Sequence, residues 1–255
     1  MANRRETNQQ LASRAVQVAF LLGLFVLWYC ATNFWGVNHL LLPNPVAVYR
    51  QLVDVLQGGE YLPDLRVTAT EFAVAVVLAT TTGTIVGFFV SLSRYSARVF
   101  EPLFAGIYSV PIILFLPLYV LFFGLGPASK IALGATIGFF PIALNTIAGF
   151  GYVDKMLVVA ARSMGASDVQ LFRYVLLPAA LPIMLTGMRM GFTVALLSII
   201  GSETIASLAG LGHRIVHLAE AMEMAPMFAY IVFVVAIAAI LNMLVSALEA
   251  RGRRP

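Results

Sequence analysis

The sequence predicts an all-α integral membrane protein with about six transmembrane helices. Three observations carry that prediction. Of the 255 residues, 60% are hydrophobic and only 11% are charged, with mean hydropathy +0.91, whereas soluble domains are about 25% charged. The apolar runs are about 20 residues long, too long for barrel strands, and only helices satisfy their own backbone in lipid. Lys and Arg are unevenly shared between the connecting segments, as the cytoplasmic preference for positive charge requires.

Taken in order, the spans are 16–35, 70–92, 102–123, 129–150, 184–206 and 226–248. With both termini cytoplasmic, twelve of the sixteen basic residues lie inside: Arg4, Arg5, Arg14, Arg94, Arg98, Lys155, Arg162, Arg173, Arg189, Arg251, Arg253 and Arg254. Arg50, Arg66, Lys130 and Arg214 lie outside. The net charge of +4 is thus topological and implies no nucleic-acid partner. The chain divides into a cytoplasmic segment 1–15, a single transmembrane domain 16–250 containing a cytoplasmic loop 151–183, and a basic cytoplasmic tail 251–255. The first span imitates a signal peptide, but it is too long and carries Trp28, Tyr29 and Trp35, which suit a membrane interface. The single cysteine, Cys30, excludes an internal disulfide, and the residue before it is too large for a lipoprotein site.

Between the first two spans, Asn44 reads as an N-cap with Pro45 at the first helical position. Val46, Tyr49, Val53 and Leu56 then recur at helical spacing up to Gly58-Gly59, which predicts an amphipathic helix in the outer interface. Glu71 is expected at headgroup level near the start of the second span. Gly83/Gly87, Gly134/Gly138 and Gly187/Gly191 are small-residue pairs suited to helix packing within the subunit. Pro111, Pro117 and Pro141 fall inside spans, where prolines are tolerated beside a cavity or a neighbour that re-satisfies the freed carbonyl.

Four polar residues within spans are candidates for a translocation path: Asn145, Thr146, Ser198 and Glu203. Asn145 and Thr146 more often staple helices than bind solute, and Glu203 suits structural hydrogen bonding or gating equally. His213 and His217 with Glu220 and Glu223 imitate a zinc site, but no H-E-x-x-H is present and a solvated polar face is the expectation. No metal site, catalytic set or cofactor site is predicted.

The second half is organised around the loop Val159–Pro182. Gly165 can take a positive φ and end a first short helix. Ser167 and Gln170 form a capping box that starts a second, with Asp168 in its first turn. Pro178 and Pro182 are expected to break that helix before the next span. A short capped helix exposed by a membrane protein is built to dock. Neither Lys130 nor Lys155 follows a glycine, so the chain has no phosphate-cradling G-x-x-x-x-G-K-[ST] loop.

The spacing of Ala160-Ala161, Gly165, Val175 and Leu177-Pro178 resembles the EAA loop of bacterial ABC-importer permeases, departing from it at Val159, where the family has Glu, and at Val175, where it has Ile. Leu42-Pro-x-Pro45, the Gly124-x-Gly126-x-x-Ser129-Lys130 frame, Phe139-Phe140-Pro141-Ile142 and the Gly210-Leu211-Gly212 that follows Glu203 are similar to its nitrate, sulfonate and taurine branch. The resemblance covers residues from about 40 to 250. It implies a type I importer fold with a cytoplasmic coupling helix in the bacterial inner membrane. The ATPase-docking residues would be Ala160, Ala161, Gly165, Ala166, Ser167, Asp168, Leu171, Phe172, Arg173, Leu177 and Pro178.

The implied partners are a dimer of ABC ATPase subunits holding ATP and Mg, a second permease copy or paralogue, a periplasmic or lipid-anchored substrate-binding protein, and membrane lipid. The chain itself would be non-catalytic, and the implied solute is a small organic or inorganic anion such as a sulfonate, taurine, nitrate or an aromatic carboxylate. Relatives that import riboflavin or a thiamine pyrimidine keep a vitamin or its precursor as the alternative. An ATPase-independent secondary transporter or channel is the alternative class, for which no half-to-half repeat is visible.

Overall fold

Among the described residues every regular element is helical. The computed structural model describes residues 2–36, 38 and 41–252, without the side chains of 2–14, 18, 21 and 248–252. Met1 and residues 253–255 of the basic tail lie outside the described residues, and with them Arg253 and Arg254. Two compact units are distinguished, residues 1–60 with 215–233 and residues 61–214 with 234–255.

In the first unit, α1 (Ala2–Asn33) contains an apolar stretch of 19 residues, Ala15–Asn33. α2 (Pro45–Gly58) starts as its sequence dictates: the Asn44 side chain accepts from the Val46 amide, Pro45 opens the helix, and Gly59 closes it at φ 70°. Trp28 Nε1 donates to the Pro43 carbonyl at 3.1 Å and Asn44 Nδ2 to Asn33 Oδ1 at 3.1 Å, tying α2 to the end of α1. Pro45 and Val48 are buried, while Val46, Tyr49 and Leu56 stay exposed. The apolar face singled out from spacing is therefore the one presented outward.

The second unit is built on α3 (Leu62–Ser91) and α6 (Pro127–Gly151). Between them, α4 (Arg94–Tyr108) and α5 (Leu116–Phe123), the latter preceded by the 3-10 turn Ile112–Phe115, occupy the region of the third span expected over 102–123 as a bent pair. They meet at a bend of 73°, and among the described residues there are five span-length apolar helices, or six if this bent pair is counted as one. The bend falls at Ser109–Pro111, where a proline removes an amide and restricts the residue before it. α7 (Lys155–Ser163), α8 (Asp168–Leu171), a π turn (Phe172–Leu176) and α9 (Leu177–Ile205) follow; α10 (Leu211–Glu220) and α11 (Met224–Gly252) run from one unit into the other.

Contrary to expectation, Pro178 and Pro182 do not end the helix: one apolar helix runs from Asp168 to Ile205. The wide turn supplies the physical reason. Leu177 N–H reaches back five residues to the Phe172 carbonyl, and this extra residue places Pro178 in the first turn of α9, where its missing amide is tolerated. Pro182 then costs one ladder bond inside an otherwise continuous helix.

The three small-residue pairs turn out to serve two interfaces that share α6. A Cβ added to Gly87 would stand 2.7 Å from the Ala143 carbonyl of α6, and one on Gly191 of α9 2.6 Å from Ile142. A Cβ added to Gly138 of α6 would stand 3.2 Å from the Gly191 carbonyl of α9, a tight contact too. So α6 is gripped on one side by α3 and on the other by α9 at distances only glycine permits, which is how helices gain packing contact in lipid.

Candidate functional site

At one end of α3, α6 and α9 lies an elbow. The Asp154 side chain caps α7 by accepting from the Met156 amide at 2.9 Å. Its other end closes in a Schellman turn: Ala166 N–H bonds to the Ala161 carbonyl and Gly165 N–H to that of Arg162, both at 3.0 Å, with Gly165 at φ 80°. Ser167 then starts α8 with both halves of the capping box in place, Ser167 N–H donating to Gln170 Oε1 and the Gln170 amide to Ser167 Oγ. Arg162 and Asp168 form an ion pair across the turn. Both are exposed, so the pair orients the elbow more than it stabilises it.

The elbow's side chains divide by direction. Leu171 is buried, and the Phe172 ring lies 5.3 Å from Phe88 of α3 and 6.2 Å from Phe150 of α6. These two, named from sequence among the docking residues, have side chains that pack towards the bundle. Met164 (87% exposed), Val169 (74%) and Tyr174 (69%) face outward, and the Arg173 guanidinium lies 6.0 Å from the Tyr174 ring. Leu157, Ala160, Ala161, Met164, Gly165, Ala166, Gln170, Tyr174 and Val175 line an open cleft of about 540 Å³. Its small residues keep the floor low. Leu177 and Pro178 begin α9 behind it.

At the other end is a buried polar knot, absent from the sequence-based account except for Glu203. Thr68 and Phe88 are twenty residues apart on α3, about 30 Å at 1.5 Å per residue, which is a hydrocarbon thickness. Three successive amides lead into α10 with side-chain acceptors: Gly210 N–H donates to Asp64 Oδ1 at 3.1 Å, Leu211 N–H to Thr68 Oγ1 at 2.9 Å and Gly212 N–H to Glu203 Oε2 at 2.7 Å. Thr68 Oγ1 passes its own hydrogen to Glu203 Oε1 at 2.6 Å. Glu71, expected at headgroup level, is buried beside Glu203, with Oε2 lacking a hydrogen-bond partner. Lys130, taken from sequence as an external topological charge, is buried too, donating to the Leu125 and Gly126 carbonyls and facing both carboxyl groups.

The four path candidates separate accordingly. Glu203 is buried, with both oxygens accepting hydrogen bonds. Thr146 is buried and returns its hydroxyl to the Ile142 carbonyl at 2.7 Å. Asn145 donates to the Pro141 carbonyl at 2.8 Å and packs against Gly187, stapling α6 to α9. Ser198 lines an open groove of about 370 Å³ at the α4–α5 bend, with Tyr108, Val110, Pro111, Ile112, Ile113, Ile137, Val194 and Leu197. A signal for the knot was present in the sequence: Asp64, Thr68 and Glu71 recur on one face of α3. Among the described residues no group of three or more His, Cys, Asp and Glu side chains is placed to hold a metal.

Apolar spans tied by close helix packing, with a capped elbow at one end, define a polytopic membrane protein. Residues 79–254 match the family described as binding-protein-dependent transport system inner membrane component, and the chain belongs to that family. It is 30% identical over 241 residues to the taurine transport system permease protein TauC of Escherichia coli (strain K12), covering 92% of this chain and 88% of the relative. It is 27% identical over 228 residues to the putative aliphatic sulfonates transport permease protein SsuC of Bacillus subtilis (strain 168), covering 89% and 83%. In fold it is similar to the inward-facing MetNI methionine ABC transporter, with TM-score 0.62 and 20% identity over 74% of this chain and 94% of that one. The chain is therefore a multi-pass inner-membrane permease of the ABC-importer type, in the branch that the sequence motifs indicated.

Proposed function

We propose that this permease carries a small sulfonate-like anion into the cytoplasm, driven by ATP hydrolysis on a separate pair of ATPase subunits that dock at the elbow. The elbow's construction carries the reading: a Schellman turn, a capping box and an ion pair hold two short helices at a set angle around an open cleft. Met164, Val169 and Tyr174 are the apolar anchors it offers. Both termini and the elbow lie in the cytoplasm, and ATP and Mg are held by the partner rather than by this chain. A binding protein delivers the solute on the outer side, and a second permease copy or paralogue completes the path, with Ser198 at its edge. The names of the taurine and sulfonate permeases support the anion class.

The test is a double variant, Val169→Asp with Tyr174→Asp, in cells expressing the neighbouring ATPase. It should release the ATPase from the solubilised complex and abolish uptake, since anchors of this kind each contribute about 2 kcal/mol or more. Undiminished uptake in a strain lacking any such ATPase would overturn the ATP-driven reading. A ligand screen of the cognate binding protein with taurine, alkanesulfonates, nitrate and vitamin precursors decides the solute.

A further inference from the structure

The geometry points to Phe172 as a positioning residue that passes the elbow's displacement sideways into α3 and α6, across a joint that keeps α9 from being driven along its own axis. This rests on the proposed ATPase docking and concerns the step after it.

Two independent features place the joint. Leu177 N–H is committed to the Phe172 carbonyl, and Pro178 has no amide, so the Arg173 carbonyl has no helical amide at the next two opportunities. A helix widened by one residue and short of a ladder bond bends there more easily than elsewhere. A push along α8 is therefore absorbed before it reaches α9. Phe172, at the near edge of that joint, closes a triangle of rings: 5.3 Å to Phe88, 6.2 Å to Phe150, and 5.3 Å between Phe88 and Phe150. Leu171 beside it is buried, while Val169, Arg173 and Tyr174 are exposed. Residues 171–172 are thus the grip of this arm on the bundle. Close-packed rings transmit a shift with little give, and Phe88 and Phe150 lie near the ends of the two helices that glycine contacts lock together.

The experiment uses the complete complex in proteoliposomes, comparing Phe172→Ala, Phe172→Leu, Phe88→Ala and Pro178→Ala for ATPase co-purification, hydrolysis rate and solute taken up per ATP. In Phe172→Ala and Phe88→Ala the ATPase should remain bound and hydrolysing while uptake per ATP falls about tenfold, the size of a typical coupling free energy. Phe172→Leu, which keeps an apolar plug, should recover most of it. Pro178→Ala returns an amide, stiffens the joint and should lower uptake per ATP. If the force instead ran along α9, Pro178→Ala would raise that ratio and Phe172→Ala would leave it unchanged; either result overturns the assignment. Loss of the ATPase from Phe172→Ala alone would make Phe172 a docking anchor and equally overturn it, with Phe172→Leu and Phe88→Ala still reporting should Phe172→Ala not assemble. Failure of the unaltered chain to bind any ATPase would instead refute the docking reading itself.

Discussion

The elbow and the buried knot stand at opposite ends of the same three helices and are held by opposite physics. Bonds in the elbow join residues at most six apart in sequence, its ion pair is exposed, and its exactness comes from turn chemistry. Three of the knot's bonds, those from α3 to Glu203 and to the amides of Gly210 and Leu211, join residues 135 to 146 apart, and Thr68 and Glu203 are buried. The elbow's own shape is thus fastened locally and lightly. The knot is fastened globally, where a missing partner is costly.

Substitutions can break or sharpen that contrast. Glu203→Ala should have the largest effect, leaving two buried donors, the Thr68 hydroxyl and the Gly212 amide, without their acceptor; each such loss costs about 1–3 kcal/mol. It should appear as a marked fall in the unfolding temperature of the detergent-solubilised chain, with Glu203→Gln milder. Next, Gly191→Val drives two methyls into Ile142 and the Gly138 carbonyl; overpacking costs about 1–3 kcal/mol, and disulfide cross-linking between cysteines on α6 and α9 should become less efficient. Gly165→Val meets open space but demands φ 80° of a β-branched residue, at about 1–2 kcal/mol. Thermal unfolding of the bundle should hardly change while ATPase co-purification drops. Smallest is Ser167→Ala, which removes half a capping box at about 1 kcal/mol and should show as faster hydrogen exchange at residues 168–171. If Gly165→Val lowered the unfolding temperature as much as Glu203→Ala, the contrast between the two ends would be gone.

The same contrast explains what was legible in the residues. Asn44-Pro45, Gly165 and the Ser167–Gln170 box were read correctly because each is a bargain between neighbours in the chain. The small-residue pairs were recognised as packing faces, but not that all three meet on α6. Pro178 and Pro182 were misread as breakers because the wide turn that spares the helix lies against Phe88 and Phe150, which come from distant segments. The third span, over 102–123, was placed with Pro111 inside it, but nothing local told that the chain bends there by 73°. Glu71 and Lys130 were assigned to the membrane surface, since nothing in a single sequence says that two acids and a lysine on separate helices share one pocket.

By itself, then, the sequence determined the class, the spans and the caps, because lipid forces every backbone amide to find a partner close by in the chain. Tertiary structure alone decided which polar side chains were sealed together and which face of the elbow was left for a partner, because burial is a property of helices assembled and not of any one of them.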